Sequence, residues 1–193
     1  MKSKNLNIII IDYLLENKNK LKINSNDILN GDVFVSLQGT NTHGNIYIKH
    51  ALKKGARFII TDKKSGLGDG ENNILLVKET LGFLLKIASE KRNIFKGKVI
   101  GITGSVGKTT IKENLKFFLS TVSKVSASIK SYNNYLGVLI SIINIDLNSN
   151  FAIFEIGTNN FNEIKNLTSI IIPQQIIITN IFIFISVFKF VIN

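Results

Sequence analysis

Val99-Ile100-Gly101-Ile102-Thr103-Gly104-Ser105-Val106-Gly107-Lys108-Thr109-Thr110 is the stretch on which the reading of the chain turns. An apolar run ends in a glycine-rich turn, and Lys-Thr-Thr then opens a segment with Ile111, Leu115 and Leu119 at helical spacing. A strand, a tight turn and a helix N-terminus in that order make an anion cradle. Glycines let successive N–H groups face one point, and the helix dipole adds positive potential there. Gly104, Ser105, Val106, Gly107, Lys108, Thr109 and Thr110 are therefore the expected nucleotide contacts. Lys108 would reach the outer phosphates of ATP, and the Thr109 hydroxyl would sit on Mg²⁺. The spacing departs from the common G-x-x-x-x-G-K-[ST], because position 102 is Ile102, so the loop is a shorter variant. A ligand-free glycine turn is the plain alternative.

Working outward, 193 residues suit one or two domains, and 45% hydrophobic content is enough for a core. No cysteine is present, which removes disulfides and thiolate metal sites and agrees with a reducing, cytoplasmic setting. The start, Met1-Lys2-Ser3-Lys4-Asn5, lacks the pattern of a secretory signal. The net charge of +11 invites a nucleic-acid reading. Against it, only Arg57 and Arg92 are arginines, and the lysines are scattered among asparagine and isoleucine without interleaved aromatics. No nucleic-acid partner is expected.

The periodicity predicts a helix within 1–22, carried by Ile8, Ile11, Leu14 and Leu15, then a connector and a buried strand over 31–37. A polar loop over 38–44 leads to an amphipathic helix over 46–54, with Ile48, Ala51 and Leu52 on one face, stopped by Gly55. Strands over 57–61 and 74–77 flank a charged loop, and a helix over 80–91 precedes a hinge at 93–97. After the phosphate loop come a helix to Ser120, a strand over 124–127, a polar loop over 131–137 and a helix over 138–143. An apolar strand over 151–157, a helix over 162–169 and a buried strand over 175–180 follow. The fold class is α/β, in two units.

Ligands gather beyond the carboxyl ends of strands in open parallel sheets. The phosphate loop, Glu155 and Asn180 all fall at such ends. A carboxylate in an apolar strand is costly unless it is paired or meets a cation. Thr109 and Glu155 are thus the expected Mg²⁺ ligands, with Lys108 and Glu155 as the catalytic candidates; pairing of Glu155 with a nearby lysine is the alternative. Asn133 and Asn134 offer amides to a ligand, although such pairs are also common turn formers. His43 and His50 have no metal spacing; His50 is read as a surface helix residue and His43 as a loop residue.

These residues match a known pattern. Gly101 to Thr110 resembles the ATP-binding loop of the Mur ligases, enzymes that add amino acids or dipeptides to a peptidoglycan precursor. Gly31-Asp32-Val33-Phe34-Val35-Ser36-Leu37-Gln38-Gly39, then His43-Gly44 and Lys54-Gly55-Ala56, is similar to their N-terminal nucleotide-sugar domain. Tyr132-Asn133-Asn134-Tyr135-Leu136-Gly137-Val138 and Phe154-Glu155-Ile156-Gly157-Thr158-Asn159 resemble the MurF type within the family. The resemblance implies an N-terminal UDP-sugar-binding domain over 1–96, a partial, P-loop-type parallel-sheet ATPase domain over 97–181 and an apolar tail over 182–193. It also implies UDP-MurNAc-peptide and D-Ala-D-Ala as small-molecule substrates, ATP with Mg²⁺, an acyl-phosphate route to the amide, and a monomer. By position it assigns Ser25, Ser36, Gly39, Asn133 and Asn134 to the substrate.

Departures accompany it. Ser25-Asn26 stands where the family has a Ser/Thr-Arg pair, Leu139 replaces a usual proline, and Asn160-Phe161-Asn162 replaces a His-Pro-Gly-like turn. After Ile181 the family continues with a Gly-x-x-His segment, a carbamylated lysine for a second Mg²⁺ and a C-terminal domain; here an apolar tail follows and ends at Asn193. The tail reads as out-of-frame translation or a gene cut short, not as a stable membrane span, and a chain so truncated is expected to be inactive and poorly soluble. Competing readings are a MurE-type or folylpolyglutamate-synthetase-like ligase and a non-catalytic nucleotide-binding remnant.

Overall fold

The computed structural model describes residues 2–64, 72–129, 131–157 and 162–181. The charged loop over 65–71, the segment 158–161 and the tail 182–193 lie outside the described residues. The chain forms two compact units, Met1–Glu90 and Lys91–Asn193. The expected hinge at 93–97 begins inside a helix that runs to Ile94 and buries Leu84, Ile87 and Ala88 on one face.

In the first unit, α1 (Lys2–Glu16) precedes β1 (Leu21–Lys22), β2 (Val33–Val35), α2 (Ile48–Lys53), β3 (Phe58–Thr61), β4 (Ile74–Leu76) and the start of α3 (Thr80–Ile94). The four strands are parallel in the order β1-β2-β3-β4. Phe34 and Ile59 meet Ile48 and Ala51 of α2 in the core, with Leu52 packed at its margin. The face of α1 differs from the expected one. Ile10, Ile11 and Leu14 are buried while Ile8 is 58% exposed, so the inward stripe follows i, i+1 and i+4 from Ile10. The helix ends at Glu16, short of the stretch to residue 22 read as helical, and Leu21–Lys22 instead form β1, a strand too short to show a period.

The second unit contains β5 (Lys98–Thr103), α4 (Lys108–Ser120), β6 (Val125–Ala127), α5 (Tyr135–Ile143), β7 (Phe151–Glu155), α6 (Glu163–Ile171) and β8 (Gln175–Ile178). Its strands are parallel in the order β6-β7-β5-β8. Ile100, Ile102 and Ile153 pack with Leu115 and Leu119 of α4. Alternate strand residues face the opposite side. There a side chain at Gly101 would press on Ile156, and α5 and α6 pack against β7 and β5. The polar loop before α5 ends earlier than expected: the helix begins at Tyr135, because the Asn134 side chain accepts the Gly137 N–H and caps it. The strand expected over 175–180 is regular only to Ile178 and lies at the sheet edge, largely exposed rather than buried. Among the described residues no helix is long and apolar enough to cross a membrane.

Candidate nucleotide site

The site is built where the strand order of the second sheet reverses. From β5 the chain runs outward to β6, returns with β7, and crosses to β8 on the other side of β5. In an open α/β sheet that reversal leaves a crevice at the carboxyl ends of the strands. β5 ends at Thr103, β7 at Glu155 and β8 at Ile178, and the loop from Gly104 to Gly107 leaves from this end.

The loop conformation depends on two glycines. Gly104 has φ +134°, and a Cβ there would collide with Thr179 Oγ1. Gly107 has φ +85° and caps α4. Both backbones occupy the region that costs a side chain conformational strain. The loop is fastened to the end of β8. Asn180 Oδ1 accepts the N–H groups of Ser105 (3.1 Å) and Val106 (3.0 Å), and the Thr179 hydroxyl donates to Val106 O at 2.6 Å. Lys108 Nζ spans the turn and donates to Gly104 O at 2.6 Å. Thr110 is exposed in the first turn of α4.

Glu155 is fully buried, and each of its oxygens has a different neighbour. The Thr109 hydroxyl donates to Oε2 at 3.1 Å. Lys112 Nζ lies 3.0 Å from Oε1. Glu155 thus sits against Thr109, its expected neighbour, and also pairs with a lysine, the alternative reading of this carboxylate. Lys112 was not visible as a site residue because Ile111, Leu115 and Leu119 carried the apolar period. In the structure Ile111 is 37% exposed and Lys112 is the residue turned inward. The signal was present, since Lys112, Leu115 and Leu119 stand at i, i+3 and i+7.

A hydroxyl and one carboxylate oxygen beside a phosphate loop suit Mg²⁺, which takes one or two carboxylates and fills its octahedron with phosphate oxygens and water. Among the described residues no group of three or more His, Asp or Glu side chains could hold a metal by itself. The Thr109 hydroxyl and the Glu155 carboxylate are a donor set that fits a cation brought with a nucleotide.

The asparagine pair lies near the end of β7. Asn133 O accepts the Gly157 N–H at 2.7 Å, and Asn134 serves α5 as its cap. The residues singled out in the first unit are placed differently. Ser36 is fully buried and its hydroxyl donates to Thr61 Oγ1 at 2.7 Å; Ser25 is 6% exposed with Oγ 3.0 Å from His50 Nδ1. Gly39 closes a tight turn with its N–H on Thr42 O. His43 is buried: Nδ1 accepts the Asn45 N–H at 3.0 Å, so Nε2 carries the proton that Asp62 Oδ1 accepts at 2.7 Å. Burial opposes ionisation of Asp62, but hydrogen bonds from His43 and Thr80 outweigh it and hold its carboxyl below the ordinary value of 3.8.

With this geometry in view, the chain was compared with known proteins. It matches the Mur ligase family, catalytic domain, over residues 19–141 and the Mur ligase middle domain over residues 102–182. The chain belongs to the Mur ligase family. Among relatives in the family, the UDP-N-acetylmuramoyl-tripeptide–D-alanyl-D-alanine ligase of Rickettsia prowazekii is 42% identical over 165 residues, which is 86% of this chain and 36% of that protein. MurF ligase from Thermotoga maritima, crystallised with ADP, is 34% identical with a TM-score of 0.64 and covers 81% of this chain and 36% of its own. MurF from Acinetobacter baumannii is 28% identical with a TM-score of 0.69, over 82% of this chain and 34% of its own. This Mur ligase chain spans about a third of the length of the curated relatives it matches.

Proposed function

We propose that the chain supplies the nucleotide-handling part of a MurF-type ligase, in which ATP drives addition of D-Ala-D-Ala to UDP-MurNAc-tripeptide in the cytoplasm. The observation that carries the reading is the Thr109–Glu155 contact of 3.1 Å beside a glycine loop that ends in Lys108. In the proposed reaction the substrate carboxylate attacks the γ-phosphorus, giving an acyl phosphate, and the dipeptide amine then displaces phosphate to form the amide. Such chemistry needs little beyond positioning and charge neutralisation.

Each residue has a defined part. The N–H groups at the start of α4 orient the β- and γ-phosphates, and Lys108 neutralises charge on the transferring group. Thr109 and Glu155 would hold Mg²⁺, which would supply charge neutralisation for the phosphates. Asn133 and Asn134 are read as lining the substrate position. In the first unit Gly39 and Ser25 are the candidates for the UDP-sugar, while the Ser36 hydroxyl acts through the shape it gives the loop after β2, since Thr61 already takes its proton.

The discriminating experiment is equilibrium binding of UDP-MurNAc-tripeptide, UDP-MurNAc and UDP to the purified chain. A preference for the tripeptide of at least ~10-fold is expected. Equal affinity for all three, or none for any, would remove the substrate assignment.

A further inference from the structure

Lys112 has no part in the reading above, and it is an expensive choice. Its side chain and that of Glu155 are both 0% exposed. An apolar side chain of the same length would fill the space on α4 without a buried charge, and such replacements are often neutral or stabilising. The ammonium has three oxygens within 3.1 Å: Glu155 Oε1 at 3.0 Å, Ser128 O at 3.0 Å and Glu113 Oε1 at 3.1 Å. They come from β7, from the residue after β6, and from α4 itself. The ammonium is therefore fixed by three segments of the unit. The Glu155 backbone is tied to the same place, its N–H reaching Ser128 Oγ at 3.4 Å.

A carboxylate held this way has one oxygen buried against the ammonium as an ion pair, with no hydrogen-bond partner among the described residues, and one on the side of the phosphate loop. Oε1 lies on the ammonium, and Oε2 lies on the Thr109 hydroxyl. We propose that Lys112 is a positioning residue that makes Glu155 a one-oxygen cation ligand, and so biases the site toward a small octahedral ion and against a larger one. The inference rests on the reading of Thr109 and Glu155 as cation ligands. Mg²⁺ demands near-octahedral geometry with single oxygens at each vertex, whereas Ca²⁺ accepts six to eight oxygens and readily takes both from one carboxylate. Two-oxygen ligation by Glu155 would require Oε1 to leave Lys112 and take from the buried ammonium its one fully buried carboxylate oxygen. One-oxygen ligation costs nothing of the kind. The ligand count is set by a residue that touches neither cation nor nucleotide.

The test is ADP binding to the purified chain, titrated separately with Mg²⁺ and Ca²⁺, for the wild type, Glu155→Gln, Lys112→Met and Lys112→Arg, with melting temperature followed in parallel. The wild type is expected to bind ADP more tightly with Mg²⁺ than with Ca²⁺. Lys112→Met frees Oε1, so the ratio of the two affinities should fall at least ~5-fold, mainly through a gain with Ca²⁺. Lys112→Arg keeps the charge but presents a fork that can take both oxygens. The tightening by Mg²⁺ should then weaken about 10-fold. Loss of thermal stability alone, with the wild-type ratio kept in both variants, overturns the proposal. So does a wild type that treats the two ions alike, an outcome that needs no variant to fold. If ADP affinity ignores both ions and Glu155→Gln, the cation reading itself falls, and this inference with it. If both hold but the Lys112 variants behave as wild type, only the inference falls.

Discussion

The two units carry the same kind of sheet, four parallel strands, and use it differently. In the first the order β1-β2-β3-β4 follows the chain in one direction, so no reversal opens a crevice. Several of its polar groups serve one another: Ser36 on Thr61, His43 on Asp62, and Asp62 on the Thr80 N–H at the start of α3. In the second the order β6-β7-β5-β8 reverses at β5, and the polar groups gather at that reversal around a fully buried Lys–Glu pair. The comparison teaches that strand order, more than composition, decides where a parallel sheet concentrates charge.

The sharpest way to break that contrast is to remove one partner of the charged pair. Glu155→Ala leaves the buried Lys112 ammonium with only the Ser128 carbonyl and the half-exposed Glu113 carboxylate as its named partners, and a loss of ~3 kcal/mol in unfolding free energy is expected from chemical denaturation. Glu155→Ala combined with Lys112→Met should recover much of it, because the two sites are coupled. Gly104→Ala comes next. It forces a Cβ into a left-handed backbone position against Thr179 Oγ1, with a strain of ~1–3 kcal/mol and at least ~10-fold weaker ADP binding, measurable by fluorescence titration. In the first unit the matching change, Ser36→Ala, removes one hydrogen bond while Thr61 Oγ1 keeps its bond to Lys63 O. A loss of ~1 kcal/mol is expected. Equal losses for Ser36→Ala and Glu155→Ala would erase the distinction between the units.

The smallest effects are in pH dependence; both make stability rise with pH, one on the acid side and one on the alkaline side. Asp62 has a folded pKa below 3.8, so its contribution is complete above that value and is lost as the pH falls through the folded pKa. Asp62→Asn should lack this acid-side loss. Lys91, in the second unit, is lowered by burial from 10.5 to about 8, against a smaller opposing pull from Asp146. Between those values the unfolded chain binds the extra proton, so this residue makes stability rise from about pH 8 to 10.5. The difference between wild type and Lys91→Met in urea melts across that range measures it.

How much of this was legible in the sequence follows from where the information is local. The strand–loop–helix around Lys108 is local: glycines, an apolar run and a helix start within twelve residues. The same holds for the face of α2 from Ile48 to Leu52, a single helical turn. Lys112 was missed because the side of a helix that faces the sheet depends on residues 16 and 43 positions further on, Ser128 and Glu155. The roles of Asn134 and Ser36 were hidden for a related reason. An asparagine before a helix and a serine after a strand have the same local pattern whether they cap, pair or bind, and the partner that decides is remote for Ser36, at Thr61. The exposure of β8 is likewise a property of its edge position, which no run of isoleucines reveals.

One measurement bears most directly on the claim that the reversal at β5 is a cation-dependent nucleotide site. Isothermal titration of the purified chain with ADP, with and without Mg²⁺, should give binding that Mg²⁺ tightens at least ~10-fold. Lys108→Ala should weaken it in both conditions, and Glu155→Gln should abolish the Mg²⁺ effect alone. ADP binding that is unchanged by Mg²⁺ and by both substitutions would contradict the account.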